Sequence, residues 1–299
     1  MNIAIISGGN SEERLVSIRT GEAISDACDE LGHNASKFIL DKNSIDLILK
    51  DLKMNDFVFI ALHGSFGEDG AIQSILSKNN IPFNGSDQDS SQNCFSKSVA
   101  KEIVMKQGIL SPKYYKTSSN MCNDHIDFNS EKYIVKPNSQ GSSVGFNIVN
   151  RFEQLNDAID IALDFDSSVL IEEFIDGREI TVPILGDKPL PVIEIEPKSG
   201  IYDYKSKYTA GESKYICPAN LDSDKYQFVQ DCALSIHNML KCDVYSRVDF
   251  KFFKNNFYFL EINTLPGMTE NSLFPMSAKR HGFSFKNLIN KIIKLSLQK

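Results

Sequence analysis

No stretch of this sequence approaches the roughly 18 consecutive apolar residues that a membrane-spanning helix needs, and lysine and arginine nowhere gather into a basic run. The first absence predicts no membrane span. The second, with a net charge of −7, argues against nucleic acid as a partner. No C-x-x-C pair occurs. The six cysteines (28, 94, 122, 217, 232 and 242) and the five histidines are dispersed, so neither a zinc site nor a disulfide framework is expected, and the cysteines read as reduced thiols in mostly apolar settings. The opening MNIAIISGGN has no basic n-region and no long h-region, so it is not read as a signal peptide, and a cytoplasmic protein is expected. G-x-G-x-x-G and G-x-x-x-x-G-K-[ST] are also missing, which weakens a dinucleotide reading and removes a Walker loop.

What is present is an ordinary globular composition, 41% hydrophobic and 24% charged over 299 residues, long enough for about two or three domains. Asn2–Ile6 is a short apolar run of the kind that forms buried parallel strands. It ends in Ser7-Gly8-Gly9-Asn10, before a helix pattern from Glu12 to Leu31 whose apolar positions are Leu15, Ile18, Ala23, Ala27 and Leu31. Strand, Gly-rich turn and helix N-terminus form the anion-binding arrangement of doubly wound folds. A second run, Asp56–Leu62, leads into His63-Gly64 and Gly67-Glu68-Asp69-Gly70. At that strand end His63 is read equally as a core histidine or as a ligand contact. The turn-rich segment 81–86 closes the first domain near residue 90.

Further on, Ser96–Gly108 reads as a helix, with Lys97 near its start as an ordinary surface lysine, and Thr117–Ser130 is polar and uninformative. Tyr133–Pro137 is a predicted strand, followed by Asn138–Gly145, whose glycines bracket Ser142 and Ser143. Such a loop can wrap a phosphate with its N–H groups, and it equally suits a plain Gly/Ser turn. Ser168–Ile175 is a β run, and Glu179 falls in another that Pro183 is expected to break. Pro191–Glu196 alternates. Residues 198–218 have no period and are rich in tyrosine and lysine, which predicts a lid over something anionic. Asp224–Leu240 and Ser284–Leu297 are amphipathic helices, the latter with Leu288, Ile289 and Ile292 inward.

Between them, Tyr245–Phe253 and Phe257–Ile262 read as a hairpin around Lys254-Asn255-Asn256. A three-residue loop pairs Phe253 with Phe257, and then Asp249 with Glu261 and Arg247 with Asn263. Period-2 alternation puts Arg247, Asp249 and Lys251 on one face, and Phe257, Phe259, Glu261 and Asn263 on one face of the return strand. Facing carboxylates cost roughly 0.2–1 kcal/mol unless a hard cation binds them, as Mg²⁺ does together with substrate phosphates. An exposed face of solvated charges is the plain reading of any one pair. Asp249, Glu261 and Asn263 as a set, flanked by Arg247 and followed by Pro-Gly, favour a metal–phosphate platform.

Taken in order, Gly8-Gly9, Ser11-x-Glu13-Arg14-x-Val16-Ser17, Leu62-His63-Gly64, Gly67-Glu68-Asp69-Gly70, Lys136-Pro137, Gly141-Ser142-Ser143-Val144-Gly145, Tyr202-Asp203-Tyr204, Lys207-Tyr208, Arg247-Val248-Asp249 and Glu261–Thr269 resemble the ATP-grasp family. Within it they resemble the D-alanine–D-alanine ligases, over nearly the whole chain. The resemblance implies a doubly wound α/β N-terminal domain of pre-ATP-grasp type followed by an α+β ATP-grasp fold. It divides the chain into a substrate domain at 1–93, a central subdomain at 94–178, and a C-terminal subdomain with metal site and lid at 179–299. It implies ATP-dependent joining of two D-alanines through an acyl phosphate for peptidoglycan precursor synthesis, two Mg²⁺ ions that Mn²⁺ can replace, and a homodimer.

Residue by residue, the resemblance places Asp249, Glu261 and Asn263 on the metals, and Lys97, Lys136 and Lys207 on the ATP phosphates beneath Ser142 and Ser143. Glu172, Glu173, Phe174 and Ile175 would line the adenine, and Glu179 would meet the ribose. Arg247 and the Gly267 N–H would form the oxyanion site. Glu13 would hold the first D-alanine's ammonium and join Ser142 and Tyr208 in a triad, with His63 near that substrate's carboxylate. Ser272 and Leu273 would meet the second D-alanine's carboxylate. Leu15, Gln140 and Glu173 depart from residues common in the family and bear on affinity. Two other readings compete: a relative joining D-alanine to D-lactate or D-serine, against which Tyr208 after Lys207 argues, and a nucleotide-binding regulator with a dead core, which should have lost Arg247 or a metal carboxylate.

Overall fold

In a computed structural model the chain is described at residues 1–299 except 42–44, 120–125, 127, 129, 210 and 271. Cys122 and much of the polar stretch 117–130 therefore lie outside the described residues. The first sheet is parallel, in the order β2 (Asn34–Leu40), β1 (Asn2–Gly8), β3 (Phe57–Ile60). Ile3 to Ile6 of β1 are wholly buried, because helices lie over this sheet: α1 (Arg14–Glu30), α2 (Ile45–Leu52) and α3 (Ala71–Lys78). The buried face of α1 is not the expected apolar stripe. Leu15 is 67% exposed, and the inward residues include Ser17, Thr20, Gly21, Ile24, Ala27 and Cys28. Small residues are needed there because helix and strand lie close: a Cβ on Gly21 would come within 2.8 Å of the Ser7 side chain.

The next pair of helices, α4 (Gln88–Phe95) and α5 (Lys97–Met105), meet at Ser96. Only the second has a periodicity that the sequence shows, since α4 (QDSSQNCF) has few apolar residues to mark a period. The small antiparallel sheet follows, in the order β4 (Tyr114–Thr117), β7 (Val169–Glu173), β5 (Tyr133–Pro137), β6 (Asn147–Val149). It is backed by α6 (Leu155–Leu163).

The large antiparallel sheet has the main order β11 (Ser213–Ile216), β10 (Ile193–Pro197), β8 (Arg178–Leu185), β12 (Tyr245–Phe253), β13 (Asn256–Asn263), with β9 (Lys188–Pro189) beside β8. Pro183 does not break β8. Pairing with β10 covers only Glu179–Thr181, so the missing N–H costs no ladder bond on that side. The predicted lid carries structure of its own, a short helix α7 (Tyr204–Tyr208) and β11. Helix α8 (Ser223–Met239) packs behind the sheet, while α9 (Leu273–His281) and α10 (Phe285–Ser296) close the chain. Leu288, Ile289 and Ile292 of α10 are fully buried in the core of the first sheet.

The hairpin keeps the predicted site pairing by a different route. Its turn has two residues, Lys254 and Asn255, both with positive φ (46° and 65°), and Phe253 pairs with Asn256. A β-bulge at Leu260 then adds one residue, restoring Asp249 opposite Glu261 and Arg247 opposite Asn263. The bulge also corrects the expected faces. Phe257 and Phe259 are buried in the core, whereas Leu260 and Glu261 both line the cleft, because a bulge interrupts period-2 alternation.

Candidate active site

The small and large sheets face each other across a cleft holding two adjoining cavities that share Tyr202, Lys207 and Glu261. In the first, Ile134, Phe174, Ile175, Ile180 and Leu260 form apolar walls. Its polar end gathers Lys97, Lys136, Lys207, Asp249 and Glu261, with Ser143, Glu172, Glu173 and Glu179 at its sides. Lys97 is not the surface lysine of the plain reading: it is 7% exposed, lies 3.3 Å from Glu261, and donates to the Gln140 carbonyl at 2.6 Å. Burial would raise the Glu261 carboxyl, but Lys97, Lys207, Lys136 and Arg247 outweigh it and hold its pKa at about 2.

Asp249 accepts from both Nε and Nη2 of Arg247, at 3.0 and 2.8 Å, from Thr181 Oγ1 at 2.5 Å and from Asn263 Nδ2 at 3.2 Å. Cations and donors therefore offset the repulsion expected across the Asp249–Glu261 pair. Burial disfavours the Arg247 charge, and Asp249 more than compensates, so its pKa is raised. The other acids of this cavity have partners too. Lys251 holds Glu179 at 2.5 Å, the Lys113 N–H donates to Glu173 Oε1 at 2.9 Å, and Lys136 pairs with Glu172 at 2.9 Å.

No cluster of three or more His, Cys, Asp or Glu suited to a metal ion exists among the described residues. Two carboxylates and the Asn263 amide fit a Mg²⁺ ion that takes its other ligands from phosphates and water, and do not make an all-protein cage.

The second cavity is polar. Ser142 Oγ donates to Glu13 Oε1 and pairs with the Tyr208 hydroxyl, both through short contacts. Tyr208 also donates to Glu13 Oε1 at 3.1 Å. The three sit just before α1, in the Gly-rich loop and on α7, so they tie these three parts of the chain together. Glycine at 141 leaves room for this approach, since a Cβ there would push the Glu13 carboxylate aside. His63 is buried against Thr20 Oγ1, 3.1 Å from Nε2. Burial above all keeps its pKa below the usual value, and the imidazole is neutral at pH 7. Arg247, Asn263, Gly267, Ser272 and Leu273 line the far wall. Thr269 fixes Ser272, with its N–H at 3.1 Å and its Oγ1 at 2.7 Å from Ser272 Oγ.

Every residue to which the resemblance gives a role thus lines one of the two cavities, whereas Leu15, one of the departures, lies outside both and is exposed. Sequence reasoning missed Glu68, Thr181, Tyr202 and Thr269. The signals for Glu68, Tyr202 and Thr269 were the motifs that contain them, but nothing in those motifs says which side chains turn inward. Glu68 is strongly perturbed: burial, then the Glu13 charge, lifts its carboxyl to about 8, while its Oε2 accepts the Gly64 N–H at 2.9 Å.

Fold and site define a class: a two-sheet clamp over an apolar slot ending in lysines and carboxylates, adjoining a second, polar chamber that carries Glu13 and Arg247 on its walls. The family description "D-ala D-ala ligase C-terminus" matches residues 101–294 and "D-ala D-ala ligase N-terminus" residues 46–86. The D-alanine–D-alanine ligase of Methylacidiphilum infernorum is 44% identical over 99% of this chain and 95% of that relative, and that of Aquifex aeolicus is 42% identical over 98% and 100%. The ATP-complexed D-alanine–D-alanine ligase of Bacillus anthracis superposes with a TM-score of 0.89 at 33% identity, covering 100% of this chain and 98% of that one. A D-Ala:D-Ser ligase from Enterococcus faecalis gives 0.85 at 29% identity over 99% of each chain. This chain belongs to the D-alanine–D-alanine ligase family and has its ATP-grasp fold.

Proposed function

We propose that this chain uses ATP to join two D-alanines into D-alanyl-D-alanine, a peptidoglycan precursor. The observation that carries the reading is the meeting of the two cavities at Glu261 and Lys207, where a phosphoryl group from one can reach a carboxylate in the other. ATP would lie in the first cavity. Its base would rest among Phe174, Ile175 and Leu260 beside Glu172 and Glu173, its ribose would face Glu179, and its phosphates would meet Lys97, Lys136, Lys207 and Ser143. Asp249, Glu261 and Asn263 would hold Mg²⁺, which when bound offsets phosphate charge.

In the second cavity Glu13 would bind the first D-alanine's ammonium and the neutral His63 would lie by its carboxylate. That carboxylate is a poor electrophile until phosphorylation gives it a leaving group. The second D-alanine, held through Ser272 and Leu273, would attack with its neutral amine. Arg247 and the Gly267 N–H would then stabilise the tetrahedral oxyanion, a role preorganised donors perform in a site closed to water. The Glu13–Ser142–Tyr208 triad would hold the lid down during the reaction. The division at 1–93, 94–178 and 179–299, a homodimeric assembly and a cytoplasmic location belong to the same reading, supported by the family resemblance.

Phosphate release from ATP with Mg²⁺ tests it, comparing D-alanine, L-alanine, and D-alanine with D-lactate or D-serine. Release with D-alanine alone, with dipeptide formed, is expected. Release only on adding a hydroxy acid or D-serine would move the protein to a different acceptor class, and no release with any would sink the reading.

A further inference from the structure

Lys101 belongs to none of the roles above, yet it is fully buried, at 0% exposure. It projects from α5, whose Ala100 and Val104 pack with Phe257 and Phe259 in the core of the large sheet. Its ammonium lies 2.8 Å from Ser111 Oγ, 3.3 Å from the Phe259 carbonyl of β13 and 3.2 Å from Glu172 Oε1 on the small sheet. The other oxygen of Glu172 meets Lys136, 2.9 Å away, whose side chain is 13% exposed at the cavity. A buried lysine, a buried carboxylate and a cavity-facing lysine thus form a line from one sheet of the cleft to the other.

We propose that Lys101 is a positioning residue for the nucleotide: it takes up the charge of Glu172, so that Lys136 presents an uncompensated ammonium to the phosphates. A buried charge needs compensation, and with two lysines around one carboxylate the group carries a net positive charge where a polyanion is to bind. Without Lys101, Glu172 would neutralise Lys136 instead. The inference rests on the first cavity being the ATP site. Burial pushes the Lys101 pKa down to about 8; Glu172 and Glu261 act against that and Lys136 with it. Glu172 is held below the usual carboxylate range, Lys101 and then Lys136 overcoming its burial. Both directions leave the line charged at neutral pH.

The experiment is phosphate release against ATP concentration at saturating D-alanine and Mg²⁺, for the wild type, Lys101→Met, Glu172→Gln and the double variant. Lys101→Met is expected to raise KM for ATP about tenfold, with kcat within about twofold and KM for D-alanine unchanged, because uniform binding is lost. The same Lys101→Met change in the Glu172→Gln background is expected to leave KM for ATP where Glu172→Gln alone sets it, a result that a merely structural role for Lys101 does not produce. An unchanged KM for ATP in Lys101→Met, or losses that persist equally in the Glu172→Gln background, would overturn the proposal. If Lys101→Met alone does not fold, the Glu172→Gln and double variants decide: equal KM values support it and a tenfold difference overturns it. Wild-type turnover that fails to saturate with ATP would overturn the nucleotide reading and this proposal together, whereas normal saturation beside an unchanged KM in Lys101→Met overturns this proposal alone.

Discussion

Two carboxylates on the wall of the second cavity are driven in opposite directions. Glu261 is held near 2 by four cations against its own burial, and Glu68 is lifted to about 8 by burial and the Glu13 charge. For Glu68 the folded pKa lies above the ordinary 4.5, so the folded chain binds the extra proton. Its contribution to stability is complete below about 4.5 and is lost as pH rises through about 8, by at most about 1.4 kcal/mol per pH unit. Glu68→Gln is therefore expected to flatten the fall in stability between pH 5 and 8. Urea unfolding at both pH values checks this, and equal slopes in variant and wild type would count against a protonated Glu68. Glu261→Gln is expected to abolish turnover while leaving the thermal midpoint within a few degrees, and normal turnover would remove Glu261 from the metal assignment. Glu261 was legible in the sequence because its partner Asp249 lies on the same hairpin. Glu68 was not, because its neighbours Glu13 and Arg247 come from distant elements.

Within the elements, the hairpin shows how a sequence expectation can reach the correct pairing through a wrong turn. A two-residue turn and a bulge at Leu260 add up to the same register as a three-residue loop without a bulge, and only side-chain burial separates them. Turns with two positive φ values favour Asn-Gly over Lys-Asn. Lys254→Asn is accordingly expected to stabilise the protein by about 0.5–1 kcal/mol with activity unchanged, as measured by chemical denaturation and phosphate release. Residues 198–218 make a second case: their aperiodic sequence hid α7 and β11, whose order comes from pairing with β10 and from the Glu13–Ser142–Tyr208 contacts. Tyr208→Phe is expected to loosen those contacts and admit hydroxy-acid acceptors at low pH, where the competing amine is protonated. An acceptor profile identical to the wild type's would argue against the triad as the lid's latch.

Across the whole molecule, the first sheet depends on the far end of the chain. Leu288, Ile289, Ile292 and Ile293 of α10, with Tyr245, Leu265 and Phe274, are part of the core that holds β1 and β3. Ile292→Ala is expected to cost about 2–5 kcal/mol, the range for large-to-small changes in a packed core. A fragment of residues 1–93 should fail to unfold cooperatively when followed by circular dichroism. A cooperative transition in that fragment would show that the sheet is complete without α10. No helix among the described residues is long and apolar enough to cross a membrane, and the five cysteines described are free thiols.

The sequence by itself determined the parts whose information is local: the apolar strands, the amphipathic α8 and α10, the site pairing on one hairpin, and the ordered motifs that mark the family. Those follow from periodicity and turn chemistry, which act over a few residues. Tertiary structure alone decided that Pro183 sits inside a strand, that small residues line the inner face of α1, and that Lys97, Lys101 and Glu68 are buried. Each of these depends on what lies opposite: a neighbouring strand that stops early, a sheet that approaches closely, or a charge brought in from another element. Burial and long-range charge set the protonation and partners of these groups, and neither is written in the residues beside them.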